Sequence, residues 1–360
     1  MTDARPSHNP PSVVLADGTR PLGADHAPFV IAEMSGNHKG ELERALAIVD
    51  AAADAGADAV KLQTYTADSM TIDHDGPGFV VESGPWGGRR LHDLYREAGT
   101  PYEWHRALFE RGQQRGVLVF STPFDVAAVD FLEELGAPCY KVASPEVVDI
   151  PLIERVASTG KPMIMSTGMA TLAEVAEAVD AARGAGCNQL VLLHCVSGYP
   201  TPPREMNLRT IAHLSEAFGV PVGLSDHSTG VAVPIAAAAL GAVAIEKHVT
   251  LARAEGGVDA FFSVEPAELR ALVDGTRDAH AARGEVRYEP TEAEETTRPF
   301  RRSLYVVADV AAGERLTGDN VRSIRPGFGL HPRALPLVLG RRAARDLARG
   351  EPLRWDAIGG

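Results

Sequence analysis

Cysteine is scarce: Cys139, Cys187 and Cys195 are the three in a chain of 360 residues. The number is odd and the spacings match no metal motif, so a disulfide framework and a cysteine-bound structural metal are excluded. Reduced thiols in a cytoplasmic setting are the expectation. Positive charge is also short, with 35 Lys and Arg against 48 Asp and Glu, a formal net charge of −13. That balance argues against nucleic acid or an anionic membrane surface as a partner. A local cluster of lysines could still hold an anionic small molecule. No apolar run approaches the length of a membrane span. The N-terminal stretch is rich in Pro, Ser and Asp and lacks the basic-then-apolar order of a signal peptide. It reads as a loose arm over residues 1–28. No GxGxxG follows the first apolar run, so a dinucleotide-binding fold gains no support.

What is present is a rhythm. Short apolar runs at 29–34, 59–65, 117–124, 139–144, 162–168, 189–197, 221–228 and 243–250 alternate with amphipathic segments. Those segments are Leu42–Ala55, Glu103–Arg115, Val126–Leu135, Pro151–Ser158, Leu172–Arg183, Leu208–Phe218, Val231–Leu240 and Pro266–Ala282. Continuous rather than alternating apolar runs fit strands buried on both faces of a parallel sheet. Eight strand–helix units in unbroken order predict an α/β fold closed as a (β/α)8 TIM barrel over residues 29–283. A long excursion after the second strand, Thr66–Pro101, has the placement of a lid. Past Ala282 the rhythm stops. Residues 284–301 read as a polar linker, and 302–360 as a small β-rich module of short strands and turns.

In a barrel of this kind, residues at the C-terminal strand ends converge on the active site. Here they are Glu33, Ser35, Asn37 and His38; Lys61 and Gln63; Ser121 and Thr122; Lys141 and Ser144; Ser166 and Thr167; His194, Ser197 and Tyr199; Ser225, Asp226 and His227; Glu246, Lys247 and His248. Lys61 and Lys141 stand within apolar strands, where an unpaired ammonium is costly. With Thr122 they suit a phosphate or carboxylate. A Schiff-base lysine is the rival chemistry, and an ion pair with Glu33 or Glu246 the purely structural alternative. His227 and His248 stand near the C-terminal ends of the last two apolar runs, at matching depth. Two imidazoles on neighbouring strands suit a divalent metal that keeps open positions for substrate. The ligand types do not choose among Mn²⁺, Mg²⁺, Co²⁺ and Zn²⁺. Asp226 could join them, orient an imidazole or cap the next helix.

The stretches IAEMSGNH, VKLQTYTADSMT, FSTPFD, YKVAS, MSTGMA, LLHCVSGYPTP, GLSDHS and IEKHVT resemble the motifs of the N-acetylneuraminate synthase family. The tail RRSLYVVADVAAGERLTGDNVRSIRPGFGL resembles that family's antifreeze-like (SAF) domain. The resemblance runs from about Phe29 to Ile358. It implies an enzyme that condenses phosphoenolpyruvate with an N-acetylated amino sugar to make a nine-carbon acid. KLQTY, the GPWGGRRLHDLYREAGTPYEWH loop and EGGVDAFFSVEP point to members using a 2,4-diacetamido-2,4,6-trideoxy hexose; N-acetylmannosamine-type sugars are the alternative. By the same resemblance, His227 and His248 hold a divalent metal, Mn²⁺ first and Mg²⁺ or Co²⁺ otherwise. Lys61, Thr122, Lys141, Ser144, Ser197 and Ser225 hold phosphoenolpyruvate, Ser197 standing where the family often has Asn. Glu33 lies at the reacting carbons, and Gln63, Tyr199 and Asp259 contact the sugar. Arg325 reaches the sugar from the partner in a domain-swapped homodimer.

Overall fold

The computed structural model describes residues 10–15 and 21–360. The chain divides into two compact units, with the boundary between Gly284 and Glu285. In the first, eight parallel strands close into a barrel in sequence order. They are β1 (Phe29–Glu33), β2 (Ala59–Thr64), β3 (Leu118–Pro123), β4 (Tyr140–Val142), β5 (Met163–Ser166), β6 (Leu190–Cys195), β7 (Val222–Asp226) and β8 (Ala244–His248). The barrel predicted from the apolar runs is the one observed. Helices follow the predicted segments to within a residue or two, for example Leu42–Asp54, Val126–Leu135 and Pro266–Arg283. Gly116 and Gly136 end two of them with positive φ, a backbone that other residues adopt only under strain.

Strand alternation sorts the apolar residues into two layers. One set, including Val30, Ala32, Val60, Leu62, Val142, Met165 and Leu224, packs outward against the helices. The other, including Phe29, Ile31, Phe120, Cys139, Ile164, Val191 and Leu193, fills the barrel interior. Moving up the strands, interior positions change from apolar to polar. Ile31 gives way to Glu33, Ala59 to Lys61 and Gln63, Ile164 to Ser166, and Ala244 to Glu246 and His248. The polar layer therefore sits at the C-terminal rim on an apolar plug.

The expectation of a loose arm does not hold for its described part. Val13 and Leu22 exchange two backbone hydrogen bonds, of 2.9 and 2.7 Å. Val13, Leu15 and Leu22 are buried in the interior cluster with Phe29 and Val243. The apolar VVL run inside the Pro-rich sequence drives this: burying such side chains is worth about 1.5–3 kcal/mol each. Residues 1–9 and 16–20 of the arm lie outside the described residues.

The Thr66–Pro101 excursion is more ordered than a simple loop. It holds helices Ala67–Met70 and Leu91–Ala98 and an antiparallel bridge between Val80 and Arg90. The second unit has its own apolar cluster, built from residues including Leu304, Val306, Leu316, Val321, Val338 and Leu353. It contains one antiparallel pair, β9 (Ser303–Val306) with β10 (Val321–Ile324). Leu335–Val338, expected as strand and turn, is a short helix. Residues predicted as linker include two short helical turns, Glu292–Glu295 and Arg298–Phe300. Among the described residues no helix is long and apolar enough to cross a membrane.

Candidate active site

A cavity of about 320 Å³ opens at the C-terminal rim. Its lining includes Lys61, Gln63, Lys141, Ser144, Tyr199, Ser225, His227, His248 and Asp259, so most residues proposed from the sequence meet in one place. Ser35, Ser166, Cys195 and Glu246 line it too. The sequence places Ser35 and Ser166 at strand ends without a task, and offers Glu246 only as an ion-pair partner for a lysine. Among the described residues the buried Ser166 Oγ has no hydrogen-bond partner, which leaves it free to bond a ligand in the cavity.

Lys61 is the centre of a charged cluster. Its Nζ lies 2.7 Å from Glu33 Oε2 and 3.4 Å from Glu246 Oε1, and donates to Thr122 Oγ1 at 3.2 Å. Burial alone would lower its pKa; Glu246 and Glu33 outweigh burial and keep the ammonium charged. Glu33 is fully buried and is not part of the cavity wall. Its Oε1 accepts from Ser35 N at 2.9 Å and Gln63 Nε2 at 3.0 Å. Burial pushes its carboxyl up to about 7 despite Lys61. Glu33 and Thr122 thus support Lys61 and Gln63 from beneath.

Lys141 differs in kind. Among the described residues it makes no ion pair within 4 Å, and its Nζ donates to Val142 O at 2.9 Å. Burial pushes it down to about 8, with Glu246 opposing. Of the two lysines, Lys61 fits the ion-pair alternative and Lys141 does not. Nearby, Ser144 Oγ accepts from Gly168 N at 3.0 Å. A Cβ at Gly168 would collide with Ser197 Oγ and stand 2.7 Å from Ser144 Oγ, so glycine lets the backbone approach both hydroxyls.

On the other side, β7 and β8 pair with Asp226 opposite Lys247. The next residues, His227 and His248, come level, with ring centroids 5.3 Å apart. His248 ends β8 and His227 lies one residue beyond β7. His227 Nδ1 is 3.0 Å from Val196 O, so Nδ1–H donates to that carbonyl and the lone pair of Nε2 is left open to a metal. His248 Nδ1 is buried without a hydrogen bond; the nearest acid, Asp259 Oδ2, is 3.6 Å away. Burial and then His227 push the His248 pKa well down, so its imidazole is neutral, as a metal ligand must be. Among the described residues no group of three or more His, Cys, Asp or Glu is arranged to hold a metal. The two imidazoles fit a divalent ion with open positions rather than a closed structural site.

Asp226 does not join them. It is fully buried on the outer face of β7, accepts from Ser228 N at 2.9 Å and Ser228 Oγ at 3.0 Å, and pairs with Lys247. Nor does it cap the next helix, Ala232–Ala239, which starts at Val231 with no side-chain cap; it holds Lys247 and the turn at Ser228 instead. His194 also turns outward, with Nε2 2.6 Å from Met206 O. Asp259 is brought in by the loop after β8 and accepts from Ser35 Oγ. Arg325 belongs to the second unit, just after β10.

Comparison with known proteins places this geometry. The NeuB family model matches residues 48–288 and the SAF domain model residues 301–359. The chain belongs to the NeuB family. Among NeuB family relatives, it is 43% identical over 333 residues to pseudaminic acid synthase of Campylobacter jejuni, covering 92% of this chain and 97% of the relative. It is 34% identical to N,N'-diacetyllegionaminic acid synthase of Legionella pneumophila, covering 95% and 98%. The crystal structure of N-acetylneuraminic acid (sialic acid) synthetase from Leptospira borgpetersenii superposes with a TM-score of 0.72 at 34% identity, over 81% of this chain and 96% of that one.

Proposed function

We propose that the chain is a pseudaminic acid synthase. It would condense phosphoenolpyruvate with a 2,4-diacetamido-2,4,6-trideoxy hexose of the 6-deoxy-L-altrose type, giving pseudaminic acid and phosphate. The observation that carries this is the 43% identity, over nearly the whole of both chains, to a protein of that name. The lower identity to a legionaminic acid synthase makes that activity the second reading.

The residues supply the parts such a reaction needs. Lys61 and Lys141 face the cavity from β2 and β4 and balance the charge of phosphoenolpyruvate and of departing phosphate. Thr122 holds Lys61 in place, while Ser144, Ser166, Ser197 and Ser225 offer hydroxyls to its oxygens. His227 and His248 would hold a divalent ion, Mn²⁺ first and Mg²⁺ or Co²⁺ otherwise, which would supply Lewis-acid chemistry for the sugar's aldehyde. The vinyl carbon of phosphoenolpyruvate bonds to the aldehyde carbon, and positive charge develops at the enol carbon. Glu246, which faces the cavity, and Glu33, behind Lys61, supply the compensating negative field. Water adds at that carbon, and the C–O bond to phosphate breaks. Gln63, Tyr199 and Asp259 position the sugar. Arg325, contributed across a domain-swapped homodimer, would complete the site, and the enzyme would work in the cytoplasm.

Phosphate release with phosphoenolpyruvate and Mn²⁺, across a panel of diacetamido-trideoxy sugars and N-acetylmannosamine, tests the reading. With ¹⁸O in the bridging enol oxygen, the label is expected in phosphate. Label retained in the sugar acid rules out C–O cleavage. Borohydride trapping of pyruvate on Lys141, with full activity in chelator, would instead establish the Schiff-base aldolase.

A further inference from the structure

The cavity has two unlike halves. Its floor is polar, as described. The residues that the Thr66–Pro101 excursion contributes are Val81, Trp86, Leu91, Leu94, Tyr95 and Ala98. None carries a charge, and only Tyr95 and Trp86 have a polar atom. Trp86 spends its own on Val258, donating from Nε1 to the backbone oxygen at 2.9 Å. Its ring is packed edge-on against Tyr199 at 5.4 Å and Phe261 at 5.9 Å. Leu94, Ala98 and Val258 form a small apolar cluster against which Trp86 packs. The wall is held in shape by backbone bonds, Val81 N to Arg89 O at 2.9 Å and Leu91 N to Phe79 O at 2.9 Å. It is a preformed apolar surface facing a polar floor.

We propose that this wall is a specificity subsite for methyl groups of the sugar: the deoxygenated C6 methyl and the methyl of the C4 acetamido group. The inference rests on the proposed synthase reading. The aldehyde carbon must lie at the floor, near the histidines and the phosphoenolpyruvate site, so the far end of the sugar points to the wall. A methyl there replaces water at no polar cost. A hydroxymethyl there gives up its hydrogen bonds to water without receiving new ones. Pocket contacts of this size discriminate by about 10–200-fold.

The test compares kcat/KM for a 2,4-diacetamido-2,4,6-trideoxy hexose with that of its 6-hydroxy counterpart. The wild type is expected to favour the deoxy sugar by roughly a hundredfold. Val81→Thr, nearly isosteric, and Leu91→Gln each add a polar group to the wall. Each is expected to narrow the ratio at least tenfold, through the KM of the sugar rather than that of phosphoenolpyruvate. Tryptophan fluorescence, with Trp86→Phe as control, gives sugar binding without turnover and is expected to show the same order. A wild type that releases phosphate equally from both sugars overturns the subsite and leaves the synthase reading standing. Ratios unchanged in both variants also overturn it. Phosphate release from no sugar at all overturns both.

Discussion

Lys247 Nζ lies 2.6 Å from Asp226 Oδ2, and both side chains are fully buried. Each immediately precedes one of the two histidines of the rim. Strand alternation turns the ion pair outward and the imidazoles inward, so one cross-strand contact braces the other. Lys247 also donates to Ser228 O, tying the turn after β7 into the same knot.

Removing one member of this pair leaves the other buried and uncompensated, which costs about 3–5 kcal/mol. Asp226→Asn is expected to lower unfolding stability by that order in urea titrations. Because Asp226 faces away from the cavity, Mn²⁺ affinity measured calorimetrically is expected to fall less than about tenfold, against a hundredfold or more for His227→Ala or His248→Ala. Equal losses of metal in all three would put Asp226 among the ligands.

Metal removal gives a second check. Dialysis against chelator is expected to abolish phosphate release while leaving the far-ultraviolet circular dichroism unchanged, and Mn²⁺ should restore turnover. Full activity in chelator would remove the metal from the site.

Lys141, pushed down to about 8 by burial, loses its charge as pH rises through that value in the free enzyme. If its ammonium holds phosphoenolpyruvate as proposed, kcat/KM for that substrate is expected to fall on the alkaline side of pH 8. Lys141→Arg, which stays charged, should move that limb upward whatever it does to the maximum rate. An unchanged limb in the arginine variant would assign it to another group.

Gly168→Ala tests the close approach of backbone to Ser144 and Ser197. The added methyl has no room beside those hydroxyls. The KM for phosphoenolpyruvate is expected to rise at least tenfold with the melting temperature little changed. A normal KM would show that these hydroxyls do not touch the substrate.

At the opposite end of the barrel, Leu22→Ala removes a fully buried side chain. It is expected to cost about 2–5 kcal/mol, read by denaturant unfolding, with kcat/KM within twofold of the wild type.

The barrel was legible because its strands are buried on both faces, which leaves continuous apolar runs separated by amphipathic helices. The rim was legible for the same reason: Lys61, Lys141 and Glu246 stand out from apolar surroundings. Burial and direction were harder to read. Asp226 and His227 are neighbours in sequence, yet only the pairing of β7 with β8 shows that one faces the helices and the other the cavity. Glu33 sits beneath the floor rather than in the wall because Gln63 and Lys61 cover it. The arm misled because its proline content masked a short apolar run with a place to go. Gly168 carries no chemical signal at all; its part appears only once β4 and β6 have brought Ser144 and Ser197 to either side of the end of β5.

The Val13–Leu22 bridge has a consequence for traffic. With Leu15 and Leu22 packed into the apolar plug, the barrel is a blind well rather than a tube. On the proposed reading, phosphoenolpyruvate, the sugar and the released phosphate would all pass through the C-terminal rim, where the cavity opens.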